Sequence, residues 1–247
     1  MMNESRGDAL AFRFAGVALI ADPSGALWRP DRRCLIVADL HFEKGAAMAR
    51  RGAALPPPWD SAATADKLAA VVARYAPETV ICLGDSFHDT VAAAAPPEAL
   101  MRRLEAAARG RDWIWVAGNH DPAPPGGGIG RCVEAHRDAP LIFRHEAAAG
   151  ATAGEITGHF HPKIALRLRG TTVRGRCFAL GARRLILPAF GAYTGGLDVR
   201  DPAIARLFSG DLEPLVIGRR GVYRASLRPR RPPAGTPTSG DPQLRVG

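Results

Sequence analysis

Metal-ligating and proton-transferring side chains recur directly after apolar runs in this sequence. Three runs typical of buried strands end in them: Cys34–Ala38 leads to Asp39 and His41, Thr79–Leu83 to Gly84, Asp85 and His88, and Trp113–Ala117 to Gly118, Asn119 and His120. Carboxylate, imidazole and amide groups together suit divalent ions such as Mn, Fe, Zn or Co. Strand ends that carry these groups to one edge of a sheet therefore predict a metal site.

The second half of the chain adds three more histidines. His145 follows the apolar run Leu141–Phe143, and His159 and His161 lie in a Gly-His-Phe-His-Pro element. Residues two apart in an extended segment point to the same side, so both imidazoles of this pair can face one site, as can Asp39 and His41. The candidate ligands are too many for one tetrahedral ion and suit two ions that share a bridging carboxylate.

The elements that must position these residues alternate between strands and helices up to about residue 130. Asp60 and Ser61 can cap a helix that carries Leu68, Val71, Val72 and Tyr75 at helical spacing, and Pro96-Pro97-Glu98 begins a second helix. A strong turn at 22–25 indicates an opening hairpin. This alternation predicts a mostly parallel sheet covered by helices, and the shorter strands after residue 131 predict a second, largely antiparallel sheet.

The chain is long enough for one α/β domain with a sizeable core. We expect a flexible N-terminus over 1–9, a single domain over 10–228, and a disordered Pro- and Arg-rich tail over 229–247.

The chain is strongly basic. It has 33 Lys and Arg against 24 Asp and Glu, a net charge of +9 that favours a polyanionic partner such as nucleic acid. Only Lys44, Lys67 and Lys163 are lysines, and this bias towards arginine also arises from GC-rich coding. Four arginines alternate along predicted strands and would make one basic face, either a phosphate-tracking groove or a solvated surface: Arg167, Arg169, Arg174 and Arg176.

Cysteine usage and hydropathy bear on the compartment. The four cysteines form no C-x-x-C pair, which predicts free thiols in a reducing cytoplasm. No apolar run approaches the roughly 20 residues that span a bilayer, and the charged N-terminus makes a poor signal peptide. We therefore expect a cytoplasmic protein without a membrane partner.

In this order the motifs resemble those of the calcineurin-like metallophosphoesterase superfamily. The resemblance implies a four-layer α/β sandwich of two stacked mixed β-sheets flanked by helices. It implies that Asp39, His41 and His161 hold one metal ion, that Asn119, His145 and His159 hold the other, and that Asp85 bridges them. His120 matches the catalytic histidine of the family, and the implied reaction is attack of a metal-bridging hydroxide on a phosphoester.

One departure from the commonest pattern narrows the resemblance. Many members have Gly-Asp-x-x-Asp where this chain has Gly84-Asp85-Ser86-Phe87-His88, which resembles the nuclease branch. A second imidazole at His88 suits a diester with a poor leaving group, or it supports another residue. Asp89 or Asp121 could orient one of these imidazoles.

Three longer elements are similar to those of ligase-associated DNA-damage-response endonucleases or phosphodiesterases: 82–89, 158–162 and 187–196. This similarity implies a manganese-dependent DNA phosphodiesterase with a role in repair, associated with a ligase and a helicase, and family members often form homodimers. Tyr193 and Phe160 are the candidates for contacts with the substrate.

Two other functions stay open. One is hydrolysis of a small phosphoester such as a cyclic nucleotide or a dinucleoside polyphosphate, which the lack of an obvious DNA-docking domain favours. The other is a binding scaffold that has lost its metals, which the full set of ligand residues disfavours.

Overall fold

A computed structural model describes residues 9–50, 52, 60–122, 128–148, 150, 153–168 and 171–227. The predicted disordered tail lies outside these residues, as does the predicted flexible N-terminus apart from Ala9.

The first sheet has seven strands in sequence order: β1 Leu10–Phe14, β2 Val17–Ala21, β3 Leu27–Arg29, β4 Cys34–Ala38, β5 Thr79–Leu83, β6 Asp112–Val116 and β7 Arg131–Val133. Strands β1 to β4 form an antiparallel meander, and β4 to β7 are parallel. The predicted turn at 22–25 joins β2 to β3, and a second turn at Ala15 and Gly16 joins β1 to β2. The parallel half is the part that the alternation of strands and helices predicts.

Five short or medium helices accompany the strands: α1 Lys44–Arg50, α2 Asp60–Tyr75, α3 Thr90–Ala94, α4 Glu98–Ala108 and α5 Pro202–Ala205. The two helices predicted from apolar spacing are α2 and α4, and the predicted apolar face of α2 is buried. Asp89 begins α3 by accepting a hydrogen bond from the Ala92 amide at 2.8 Å.

The second sheet has eight strands: β8 Ala135–Asp138, β9 Leu141–Arg144, β10 Glu155–Thr157, β11 Lys163–Leu168, β12 Thr171–Leu180, β13 Arg184–Ile186, β14 Glu213–Ile217 and β15 Val222–Arg224. It is mixed, because β9, β10 and β13 are parallel at its centre while the flanking pairs are antiparallel. Among the described residues, five of its seven strand pairings are antiparallel, which confirms the expectation of a largely antiparallel sheet except at this parallel centre.

Side-chain alternation along the central strands builds the layers. In β4, Leu35 and Val37 pack in one cluster with α2 and α4, whereas Ile36 and Ala38 pack in a second cluster with residues of the other sheet. A third cluster covers the outer face of the second sheet and includes Ile204 of α5. The layers follow in the order helices, first sheet, second sheet and an outer layer that contains α5. Together they form the α/β metallophosphoesterase-type sandwich expected from the resemblance.

Among the described residues, no helix combines the length and the hydropathy needed to cross a bilayer. The cysteines at 34, 82, 132 and 177 are free thiols.

Candidate metal centre

The candidate ligands lie where the two sheets meet at one edge. Strands β4, β5 and β6 are adjacent and parallel, so the loops after them leave the first sheet at the same edge. Strands β9 and β10 are also parallel, and the loops after them carry His145 and the His159–His161 element. The His159 amide donates to the Asp39 carboxylate at 3.0 Å, which joins the loops of the two sheets.

Asp39, His41 and His161 form one group whose ligand atoms lie within 4.8 Å of one another. The His41 Nε2 is 3.2 Å from the His161 Nε2, and the His161 Nε2 is 3.5 Å from the Asp39 Oδ1. Asp39 and His41 are buried, and His161 is partly exposed. Two ring nitrogens and a carboxylate oxygen that converge in this way could hold a divalent cation.

Asp85, His145 and His159 form a second group of the same compactness. The His145 Nε2 is 3.4 Å from the Asp85 Oδ1 and 3.1 Å from the His159 Nδ1. The Asn119 Oδ1 lies 2.9 Å from the His145 Nε2 and 3.0 Å from the His159 Nδ1, so the amide oxygen joins this group.

The two groups are neighbours. His145 spans them, with its Nδ1 3.7 Å from the Asp39 Oδ1 and its Nε2 3.4 Å from the Asp85 Oδ1. The structure thus brings all seven candidate ligands to one place. Asp85 lies in the second group, and its main-chain carbonyl accepts a hydrogen bond from the amide of His41, a member of the first group, at 2.9 Å.

The ligand loops are not extended. Asp39, His41, Asp85, His159 and His161 all have positive φ, between 45° and 71°. The extended-segment geometry expected for the two x-His pairs is therefore wrong, and the members of the 159–161 pair point into different groups. Left-handed backbone at non-glycine residues is costly and is typical of functional sites, where the surrounding structure holds it in place.

Two glycines make room for the ligands. A Cβ on Gly84 would lie 2.3 Å from the His145 Nδ1, and one on Gly118 would lie 2.2 Å from the Asp85 amide nitrogen. Gly84 also has a φ of +64°, which is the sharp turn expected after β5. Both positions require glycine, because an atom of a candidate metal-ligating residue lies where a Cβ atom would be.

Burial and mutual contact set the charges of the ligands. Burial lowers the pKa of His41 to about 3, so its imidazole is neutral at pH 7. Burial alone would raise the pKa of Asp85, but the hydrogen bond and charge of His145 outweigh it and hold that pKa below its usual range. Burial likewise opposes protonation of His145, yet Asp85 and Asp39 raise the pKa of His145 to about 9.

The residues fit a dinuclear metal centre. Imidazole nitrogens, carboxylates and an amide oxygen are donors for borderline and hard divalent ions. Within the described part of the chain, the buried His41 Nδ1 has no hydrogen-bond partner, and the Nε2 of the same ring faces another imidazole nitrogen. A cation between the facing nitrogens would satisfy lone pairs that otherwise lie against each other.

His88 and His120 form a second imidazole pair beside the ligands. Their rings stack with centroids 5.4 Å apart, and each centroid is within 5.6 Å of the His41 ring. The His120 Nδ1 is 2.8 Å from the His88 carbonyl oxygen, and its Nε2 is 3.9 Å from the Asp85 Oδ2. The His120 side chain is 35% exposed, so it can reach a bound substrate.

Asp121 holds the loop that presents Asp85. Its Oδ2 accepts hydrogen bonds from the Ser86 and Phe87 amides at 2.8 and 3.0 Å, and burial raises its pKa to about 7. Asp89 caps α3 and pairs with Arg50 at 2.6 Å.

Sequence reasoning missed one acidic neighbour of the site. The Glu146 Oε1 lies 3.8 Å from the His159 Nε2, and its position directly after His145 was the available signal. The two candidate substrate contacts differ: Phe160 packs against the outer core and edge-on to His159, whereas Tyr193 is 52% exposed. Tyr193 is thus the better placed of the two to meet a substrate.

Lys67 lies beneath the loop that carries Tyr193. Its Nζ donates to the Phe190 carbonyl at 2.7 Å and lies 3.9 Å from the centroid of the Phe190 ring. Burial, with a smaller effect of Arg176, lowers the pKa of Lys67 to about 7. The folded state therefore binds fewer protons at this amine than the unfolded state does between pH 7 and about 10.4.

We expect the free energy of unfolding of the wild type to rise with pH above 7 relative to Lys67→Met. Because the unfolded state holds the extra proton, the difference should grow by up to about 1.4 kcal/mol per pH unit. Urea denaturation of both proteins at about pH 7, 8 and 9 measures this difference in the free energy of unfolding. A difference that does not change with pH would contradict the neutral, buried amine.

The family model of the calcineurin-like phosphoesterases matches residues 32–174, which include all seven candidate ligands, and the chain belongs to this family. The protein is thus a hydrolase of phosphoester bonds, and its family uses a dinuclear metal centre. Among solved structures, the Pseudomonas putida nuclease MPE is similar, with a TM-score of 0.69 and 27% sequence identity. The similarity covers 88% of this chain and 100% of that one. A search of curated proteins found no match.

Proposed function

We propose that this protein is a two-metal phosphodiesterase that hydrolyses DNA, as an endonuclease with a role in repair. The observation that carries the proposal is the stacked His88–His120 pair directly beside two adjacent ligand groups. The similarity to a nuclease over the whole length of that structure supports a nucleic-acid substrate. The excess of 33 basic over 24 acidic residues agrees with a polyanion.

Asp39, His41 and His161 would hold one ion, and Asn119, His145 and His159 the other, with Asp85 between them. Bound divalent ions supply Lewis acidity to phosphoryl oxygens and lower the pKa of a water molecule. We propose Mn²⁺ as the ion, as the similarity to ligase-associated DNA endonucleases implies, while Fe, Zn or Co would suit the same mixture of nitrogen and oxygen donors.

The protein's own groups orient the ester and move its protons. His120, partly exposed and anchored through its Nδ1 to the His88 carbonyl, presents its Nε2 to the site. From there it can donate a proton to the departing oxygen. His88, stacked on it, places a second imidazole at the same side, where developing negative charge on a poor leaving group needs neutralising.

Tyr193 is proposed to stack on a nucleobase next to the scissile phosphate. We expect Tyr193→Ala to lower cleavage of a single-stranded oligonucleotide about tenfold, chiefly through KM, because stacking on an exposed aromatic ring contributes at this scale. A chromogenic phosphodiester, which has no base, should be cut at the same rate by both proteins. Equal losses on the two substrates would contradict a base contact.

The same two substrates test the function itself with the wild type and added Mn²⁺. Cleavage of the oligonucleotide supports the proposed nuclease. Cleavage of the chromogenic diester alone would instead favour the small-phosphoester hydrolase, and absence of both activities and of bound metal would favour the binding scaffold. Association with a ligase and a helicase, and a homodimer, remain predictions from the resemblance, and a cytoplasmic location remains a prediction from cysteine usage and hydropathy.

A further inference from the structure

The loop from Leu187 to Gly196 (the 187–196 loop) surrounds one half of the candidate metal centre. The Phe190 amide donates to the Ala38 carbonyl at 2.8 Å, and the Gly191 amide donates to the Asp39 carbonyl at 3.1 Å. At the other end of the loop, a Cβ on Gly196 would lie 2.1 Å from the His161 carbonyl oxygen. The loop is therefore fixed to the backbone of two ligand residues.

All three lysines of the chain donate to main-chain carbonyls of this loop. Lys67 donates to Phe190 at 2.7 Å, Lys44 to Tyr193 at 3.0 Å and Lys163 to Thr194 at 3.3 Å. Since only three of the 33 basic residues are lysines, their meeting on one loop is not a consequence of composition. Arg176 adds a fourth donor through the Ala189 carbonyl at 2.8 Å, which makes it a support of the loop rather than part of a free basic face.

Lys44 and Lys163 bind the part of the loop that carries Tyr193, whereas Lys67 binds it at Phe190. Both are half-buried, and they bind carbonyls of consecutive residues that include the exposed Tyr193. Lys44 comes three residues after His41, and Lys163 comes two residues after His161. The two lysines are thus neighbours in sequence of the two histidines in the Asp39 group, and both bind a loop whose Gly191 amide donates to the Asp39 carbonyl.

The two ammonium groups are close enough to repel each other. Burial lowers the pKa of Lys44, the Asp60 carboxylate opposes that effect, and the charge of Lys163 lowers the pKa further. Each ammonium has three N–H donors, so a single carbonyl does not exhaust it. An anion between them would use the remaining donors and remove the repulsion.

We propose that Lys44 and Lys163 form a phosphate subsite that binds the backbone phosphate next to the one being cleaved. Lysine suits this place because its compact ammonium can bind a loop carbonyl and a phosphate oxygen at once. With Tyr193 between them, the subsite would hold one phosphate and one base of a single strand. This inference rests on the proposed nuclease function for its ligand, but its binding test does not need cleavage.

The test is binding of a fluorescein-labelled oligothymidylate, followed by anisotropy in EDTA over a series of salt concentrations. We expect Lys44→Gln/Lys163→Gln to bind about tenfold more weakly than the wild type and to have a salt slope that is shallower by about 0.7, since the loss of one single-strand phosphate contact lowers the slope by about that amount. Lys44→Arg/Lys163→Arg keeps the charge and should keep the slope.

The matched control is Arg32→Gln/Arg131→Gln, which removes the same charge from two exposed side chains near the starts of β4 and β7, at the opposite edge of the first sheet. It should lower the salt slope by much less than the lysine variant. An equal loss in the control, an unchanged slope in the lysine variant, or no binding by the wild type would each overturn the subsite. If the double variant fails to fold, each single lysine variant should show about half of the slope change.

A cleavage assay with Mn²⁺ separates this inference from the proposed function. Weaker, less salt-dependent binding in the lysine variant together with no cleavage by the wild type would keep the subsite and reject the nuclease. Cleavage by the wild type with the same ratio of oligonucleotide to chromogenic-diester kcat/KM in the lysine variant would keep the nuclease and reject the subsite.

Discussion

Asp85→Asn is expected to lower metal-dependent phosphodiesterase activity by more than about a hundredfold and to leave fewer ions bound per chain. Asp85 lies in one ligand group, 3.4 Å from the His145 Nε2, and its main-chain carbonyl accepts from the amide of His41 in the other group at 2.9 Å. The substitution replaces an anionic oxygen with an amide that can turn N–H donors towards a cation. It also removes the carboxylate that keeps His145 protonated in the metal-free state.

Activity with added Mn²⁺ and metal content of the purified protein measure the two expected losses. Asp112→Asn is the control, because it makes the same change in an exposed carboxylate at the start of β6, at the opposite end of the strands. Circular dichroism of both variants checks that the fold is intact. Full activity of Asp85→Asn with an unchanged number of ions would reject a shared ligand at this position.

The strands that carry the ligands could be predicted because they are buried on both faces. Runs such as Cys34–Ala38 and Thr79–Leu83 are apolar throughout, and a parallel sheet that is covered on both sides requires this. The residue at the end of each run is then presented at a known edge. Sequence order and chemistry were therefore enough to predict which side chains meet, although not how.

The local geometry of the site could not be predicted. Nothing in the sequence indicates the positive φ of Asp39 and His161, because neither residue is glycine and contacts with distant parts of the chain hold the strained backbone in place. The role of Asp121 depends on amides 34 and 35 residues earlier in the chain. The three lysines that bind the 187–196 loop belong to three separate elements, and only the folded chain brings them together.

The parallel centre of the second sheet was also hidden. Its three strands, β9, β10 and β13, are only three or four residues long, and β12 and β13 pair antiparallel while β10 and β13 pair parallel. The choice between these pairings depends on which connection returns across the sheet, which local periodicity does not encode. Helices such as α3 were missed because they are only about one turn long and have no apolar stripe.

His88→Ala is expected to lower cleavage of a single-stranded oligonucleotide by about 10²- to 10⁴-fold, which is the range for loss of a group that assists proton transfer. The effect on a chromogenic phosphodiester should be much smaller. A nitrophenolate leaves as a stable anion, whereas the alkoxide of a nucleotide needs a proton or a positive charge beside it. The stacked rings of His88 and His120 place two imidazoles where that oxygen would depart.

Rates on both substrates with Mn²⁺ measure this assistance, and a double variant separates it from a structural role. If His88 only supported the His120 ring through stacking, adding His88→Ala to His120→Ala should cause no further loss on the oligonucleotide, whereas assistance by His88 itself should add to the loss. His136→Ala is the control, since that histidine stacks on Phe143 in the second sheet and belongs to none of the ligand groups. Equal losses on both substrates in His88→Ala would show that His88 does not assist the leaving group. The histidine that this chain has in place of the second Asp of the commonest family motif would then not determine which diester is cleaved.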